Sequence, residues 1–280
     1  MIVTAPASSA NLGPGFDCLA LALDLPFRLA PDGEPLPDGG GGARFHDAEA
    51  GHPAAVAFRE AGGDPAVGLR WASRIPPGRG LGYSGAARVA GAFLAGCLDG
   101  LDAETARAGA HTVAADLEGH PDNAAAAAYG SFTVALDGRV LRLDVPVGLS
   151  VVVWSPVTAT STDASRRSLP GRVTLGDAVF SVARAAAWVA ALATGDLDVL
   201  RVACEDRLHQ DVRLQVRPDA AEVRDHLLGR GEVLAAWLSG SGPSIAALVP
   251  DDVVAMVAGS IGGAGTVRTL PIDPHGVHII

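Results

Sequence analysis

The sequence predicts an α+β protein built as two units, and three observations carry that prediction. The chain opens on strand-like apolar segments, residues 2–7 and 19–27, before any helical pattern begins. A strand, a glycine-rich loop and an alanine-rich helical stretch then follow one another between residues 69 and 98. Near residue 145 the pattern restarts, with a buried strand at 149–154, helices over 174–193 and 219–228, and strands at 233–238 and 245–249. The expected division is therefore 1–145 and 146–280, in a chain of 280 residues that is long enough for two medium domains.

Taken in order, residues 8–15 join the first two strands through a segment rich in Ser, Asn, Gly and Pro, the chemistry of a turn. Residues 31–42 carry no apolar run and read as loop. A short helix is expected over 52–61, a strand over 69–75 and a helix over 84–98. Asp102 is placed to cap a helix reaching about residue 117, and Pro121 stands at a permitted first-turn position of another helix ending near 129. Two strands, 131–136 and 140–144, flank the turn signal Asp137-Gly138.

Composition excludes several function classes. With 31 acidic and 21 basic residues the formal charge is −10, which argues against nucleic acid or an anionic membrane as a partner. The chain contains no lysine, so a Walker A loop, a protein-kinase site and Schiff-base catalysis are all ruled out. Cys18, Cys97 and Cys204 are odd in number and widely spaced, which fits reduced thiols in a cytoplasmic protein and not a zinc site. No basic segment precedes the first apolar residues and Pro, Gly or Ser interrupt the long uncharged stretches, so neither a signal peptide nor a membrane span is expected.

Four loops concentrate the chemistry. In Gly78-Arg79-Gly80-Leu81-Gly82-Tyr83-Ser84-Gly85-Ala86 the alternating glycines let backbone approach a ligand, and the following helix aims its free N–H groups at the same point. That order suits an anion, although a plain strand-to-helix turn reads the same way. Glu118-Gly119-His120-Pro121-Asp122-Asn123 packs two carboxylates, an imidazole and an amide into a helix junction; Glu118 with Ser84 offers hard oxygens to Mg²⁺, and helix capping is the alternative. Asn11 and Asp17 put more polar function between the first strands than a turn requires, and residues 239–244 form a Ser/Gly-rich loop between two strands.

Together these segments, with Ser161-Thr162-Asp163-Ala164-Ser165-Arg166 and Glu205-Asp206-Arg207-Leu208-His209-Gln210, resemble the GHMP kinase superfamily and, within it, the homoserine kinase branch. The resemblance implies a ribosomal protein S5 domain 2-like N-terminal half, a ferredoxin-like C-terminal half, and ATP held by Gly78, Arg79, Gly80, Leu81, Gly82, Tyr83, Ser84, Gly85 and Ala86. It implies transfer of the γ-phosphoryl group to the hydroxyl of an amino acid, L-homoserine, in threonine biosynthesis. Ser84 and Glu118 would hold Mg²⁺, while Asn11, Asp17, His120, Asn123, Arg166 and Arg213 would surround the substrate. Ser84, Glu118 and Asn123 are then the catalytic set, with Asn123 orienting the hydroxyl and Asp122 either a base or a cap.

The chemistry of a zwitterion agrees, since Asp17 suits an ammonium and the guanidinium forks of Arg166 and Arg213 suit a carboxylate. Surface arginines are the alternative for both. Tyr83 stands where the family has serine, and the segment between Phe27 and His52 is shorter than the family's. Two other readings stay open: a kinase of the same fold for another hydroxy-amino acid or amino alcohol such as threonine, and a catalytically silent metabolite-binding relative disabled by Tyr83. A homodimer is the assembly left to test.

Overall fold

In the computed structural model residues 1–35, 44–160 and 162–280 are described; most of the expected loop 31–42, and Ser161, lie outside them. The first sheet has β1 (Val3–Asn11) antiparallel to the long β2 (Gly15–Pro31) at its centre. Beyond them lie β3 (His46–Asp47) and β4 (Leu69–Ser73), while the hairpin of β5 (Phe132–Leu136) and β6 (Arg139–Leu143) pairs with the first part of β2. Both central strands run into the segment expected as a turn, so the turn itself is only residues 12–14. The reason is tertiary: Ser8 and Ser9 are fully buried, and their hydroxyls find partners in Asn123 and Ser239. Polar residues that find such partners need no solvent.

Helices α1 (Pro53–Glu60), α2 (Tyr83–Leu98), α3 (Ala103–Glu118) and α4 (Asp122–Tyr129) pack with this sheet and with one another. Asp102 caps α3 as expected, accepting from the Glu104 and Thr105 amides, and Gly119 ends it at φ 75°. The small residues of α2 have a packing purpose, because a Cβ on Gly91 would stand 2.1 Å from the Ala54 carbonyl of α1.

The second sheet, ordered β10-β7-β9-β8, comprises β7 (Leu149–Ser155), β8 (Ala235–Leu238), β9 (Ile245–Pro250) and β10 (Thr266–Pro271). Strands β7, β8 and β9 carry runs of consecutive apolar residues because both faces are covered. Val151, Val153 and Trp237 join the core shared with the first sheet, whereas Val152, Trp154 and Leu238 join a separate cluster on the other face. Around it lie α5 (Thr162–Arg167), α6 (Leu175–Thr194), α7 (Leu200–Ala203), α8 (Gln210–Gln215), α9 (Pro218–Leu228) and α10 (Val254–Gly259). By length and composition α6 is apolar enough to cross a membrane, yet it buries Ser181, Trp188, Ala191 and Leu192 in the protein.

The sequence reading missed β10 and the final strand β11 (His278–Ile279), which pairs with Val3 and Thr4 of β1. A single cut near residue 145 thus assigns the last strand to the half with which it does not pair.

Candidate active site

One open cleft, about 690 Å³ with the solvent at its mouth included, is lined by every expected site residue except Gly85 and Ala86. Ala86 is fully buried, its amide already bonded to Gly82 O, and a Cβ on Gly85 would meet Asn123 Cβ at 3.1 Å. Ala86 is corrected accordingly, while Gly85 packs α2 against α4 through its Cα and keeps its backbone N–H in the first turn of α2.

At one end of the cleft, Gly78, Gly80 and Gly82 have φ of 65°, 70° and 67°, the left-handed region that favours glycine. Space also demands it: a Cβ on Gly80 would lie 2.1 Å from Ser239 O. The loop carbonyls are taken by outside donors, Gly78 O by Thr160 N, Gly80 O by Ser239 Oγ and Leu81 O by Ser8 N. Helix α2 starts at Gly82 with no side-chain cap, so its first N–H groups remain for an anion. Arg79 lines the cleft as a member of this loop, but its guanidinium turns to the carbonyls of Pro156 and Val157 and ties the loop to the end of β7.

Tyr83 forms a wall of the cleft and does not fill it. Its ring meets Phe27, Trp71 and His52 edge-on at centroid distances of 5.8, 6.0 and 6.2 Å, and its hydroxyl pairs with His52 Nε2 at 3.0 Å. Burial pushes the phenol up to about 12.

Ser84 and Glu118 face the same cleft from the start of α2 and the end of α3. Glu118 forms an ion pair with Arg88, one turn beyond Ser84. A hydroxyl and a carboxylate facing one cleft are hard oxygen donors that suit Mg²⁺ carried on a nucleotide, and Arg88 holds Glu118 by Oε1, which leaves Oε2 to a cation, so the chemistry of this donor set fits the metal. The donor atoms of Asp17, His120 and Asp122 also lie within 4.8 Å of one another. That group is already engaged, Asp17 with Arg166 and His120 Nδ1 with Asp122 Oδ1 at 2.9 Å.

The opposite end is built from side chains. Arg166 donates two hydrogen bonds to Asp17, at 2.8 and 2.6 Å. Arg213, almost fully buried, donates to Gly240 O and to His209 Nδ1, while its Nε has no hydrogen-bond partner. Burial and the neighbouring Arg166 charge pull this guanidinium down to about 10, and the opposite charge of a bound anion would offset both. Burial also works against the protonated His120, but its hydrogen bond to Asp122 and the charges of Asp122 and Asp17 prevail, holding it above the ordinary range.

Asn123 accepts from Ser8 Oγ and donates to Asp122 Oδ1, which leaves one N–H and one lone pair of its amide for a ligand. Asp122 is not the cap of α4; its Oδ1 accepts from His120, from the Asn123 amide and from the Asn123 backbone. Asn11 accepts from Asp17 N and donates to Gly240 O, so it braces the turn that carries Asp17. Asn11, Leu12 and Asp17 all have positive φ, a strain of order 1–3 kcal/mol per residue for side chains that resist it.

Arg88, Phe16 and His209 were missed. Arg88 sits one helical turn after Ser84 and three places beyond Gly85, a spacing from which a shared face was readable. Both the Arg166 and Arg213 guanidinium groups meet the Phe16 ring, 5.2 and 5.3 Å from its centroid, and only the fold brings those arginines together.

Comparison with known proteins joins these features. Residues 50–131 match the GHMP kinases N terminal domain, and residues 188–261 match the GHMP kinases C terminal family. A homoserine kinase of Thermus thermophilus is 41% identical over 250 residues, covering 87% of this chain and 85% of its own. One of Streptomyces avermitilis is 35% identical over 292 residues, covering 99% of this chain and 95% of its own. The crystal structure of homoserine kinase from Cytophaga hutchinsonii superposes with a TM-score of 0.82 at 25% identity, covering 100% of this chain and 97% of that one. By these family matches and relatives, this protein belongs to the GHMP kinases, among the homoserine kinases.

Proposed function

We propose that this chain transfers the γ-phosphoryl group of ATP to the side-chain hydroxyl of L-homoserine, giving O-phospho-L-homoserine for threonine biosynthesis. The observation that carries the reading is the juxtaposition, in one cleft, of an uncapped helix N-terminus and a carboxylate facing two arginines. The first suits phosphates, and the second suits the two charges of an α-amino acid.

The loop amides and the start of α2 would hold the β- and γ-phosphates, with the loop clamped from outside by Thr160, Ser239 and Ser8 so that it need not reorganise. Ser84 and Glu118 would hold Mg²⁺, which when bound neutralises charge on the phosphates. Asp17 takes the substrate ammonium, Arg166 and Arg213 take its carboxylate, and the spare groups of the Asn123 amide aim the hydroxyl at the γ-phosphorus. Positioning of this kind supplies most of the catalysis that phosphoryl transfer asks of a protein. Asp122, with three donors on one oxygen, holds His120 and Asn123 in place, and the hydroxyl proton leaves on a phosphoryl oxygen. We place the reaction in the cytoplasm, where ATP is abundant and the three free thiols stay reduced.

A coupled ADP-release assay with homoserine, threonine, serine and mevalonate tests this. Homoserine should give the highest kcat/KM; a preference for another acceptor, or no ADP release, would sink the proposal.

A further inference from the structure

The reading of Asp17 and Arg213 as the two ends of an amino-acid clamp raises a question of spacing, because they come from opposite ends of the chain. His209 stands between them. Its side chain is wholly buried and does not line the cleft, so it cannot touch a substrate.

Both ring nitrogens are nevertheless in use. Arginine only donates, so His209 Nδ1 accepts from Arg213 Nη1 at 3.0 Å, and Nε2 must carry the proton that it donates to Gly13 O at 2.7 Å. The ring is held at this point by Asp206, whose carboxylate accepts from the backbone amides of Leu208, His209 and Gln210 and from Ser181 Oγ. On the other side Gly13 is pressed against Cys204, where a Cβ would come within 2.2 Å of the carbonyl.

The hydrogen bonds then close a circuit. Arg213 Nη1 also donates to Gly240 O at 3.2 Å, the oxygen that takes Asn11 Nδ2 at 2.9 Å, and Asn11 Oδ1 accepts from Asp17 N at 3.0 Å. Asp17 is four residues from Gly13, at the start of β2 where the turn ends. Each arm of the clamp is thus tied to the other, and His209 joins Arg213 to the turn at Gly13 by hydrogen bonds, with Phe16 also against the Arg213 guanidinium, 5.3 Å from its ring centroid. Phe16 packs on the His209 ring at 5.0 Å between centroids.

We infer that His209 is a positioning residue that holds Arg213 at the carboxylate end of the site and so gives this chain its preference for an α-amino acid over an amino alcohol. The inference rests on the function proposed above.

His209→Leu keeps most of the volume and removes both hydrogen bonds, whereas His209→Gln keeps one donor and one acceptor. The KM for L-homoserine should rise about tenfold in His209→Leu, the value lost with a charge-assisted hydrogen bond. KM for ATP, and the inhibition constant of 3-amino-1-propanol, which lacks the carboxylate, should stay within about twofold. His209→Gln should recover most of the homoserine KM. If His209→Leu weakens ATP, homoserine and the amino alcohol alike, or none of them, the positioning role is wrong.

Should the leucine variant not fold, ¹⁵N-histidine spectra of the unaltered protein decide. The buried ring should show Nε2–H with Nδ1 accepting, and Nδ1 should shift on adding homoserine but not on adding 3-amino-1-propanol. A Nδ1–H tautomer, or no response to homoserine, overturns the inference. Wild-type protein that binds no homoserine at all would instead remove the underlying function.

Discussion

The two ends of the cleft are made of different materials. The phosphate end is backbone, with glycines held at positive φ and carbonyls tied down by neighbours, and it is ready before any ligand arrives. The other end is side chain, and there Asp17 and Arg166, which would receive opposite charges of a zwitterion, are paired with each other, while Arg213 is held by Gly240 O and His209. A backbone site depends little on which side chains its residues carry, and Tyr83 lines the cleft with its backbone donor unchanged, but such a site tolerates no Cβ in the wrong place. A side-chain site has to exchange its internal ion pair for the substrate's charges. Binding there therefore yields only the difference between two sets of ion pairs.

The contrast can be broken most severely at Gly80. Gly80→Ala adds a methyl 2.1 Å from Ser239 O at a φ of 70°, and kcat/KM for ATP should fall by about 10²–10³, as when a preorganised donor is lost. A near-normal value would show that the loop is not the cradle. Next is Glu118→Gln, which keeps the shape but removes the charge that faces Arg88 and that would hold the proposed Mg²⁺. Turnover at saturating Mg²⁺ should fall about a hundredfold, with circular dichroism unchanged. Normal kcat would take Glu118 out of the site.

At the other end the two arginines should separate. Arg213→Ala should raise the homoserine KM by about ten- to a hundredfold, because a buried charged donor is lost. Arg166→Ala should do less, since it also frees Asp17 from its partner. Equal effects on homoserine and ATP would contradict the two-ended description.

A pH series sharpens the same end. Burial draws His209 down to about 4 from 6.5, so the unfolded chain binds the proton first. The stabilisation is complete above about pH 6.5 and is lost as pH falls toward 4. The gap in Tm between wild type and His209→Gln should therefore narrow over that interval; a constant gap would mean that His209 is not held neutral. The smallest effect is expected at Tyr83→Ser, where the backbone donor survives and KM for ATP should change by less than about fivefold. Calorimetry finding Mg-ATP bound only by the mutant would make the ring an obstruction.

How much of this was legible depended on whether the determinant was local. The glycine loop with its helix, the Asp102 cap and the Asp137-Gly138 hairpin depend on neighbouring residues, and periodicity and turn chemistry revealed them. The extension of β1 through Ser8 and Ser9 was not visible, because those hydroxyls are satisfied by residues more than a hundred positions away. Arg79 looked like a phosphate ligand by its company, yet its fork is aimed by Pro156 and Val157. His209 lay in a recognised motif, but its role needs Gly13 and Arg213 on either side.

The pairing of β11 with β1 bears on the order of assembly. Val3 and Ile279 stand side by side while separated by nearly the entire chain, about as non-local as a contact can be. Closing so long a loop pays its entropy last, after local hairpins and helices have formed. Until then the outer edge of β1 offers unpaired amides to any other strand, including that of another nascent copy. Losing these few final residues would cost little buried area, and its main consequence would be aggregation during synthesis.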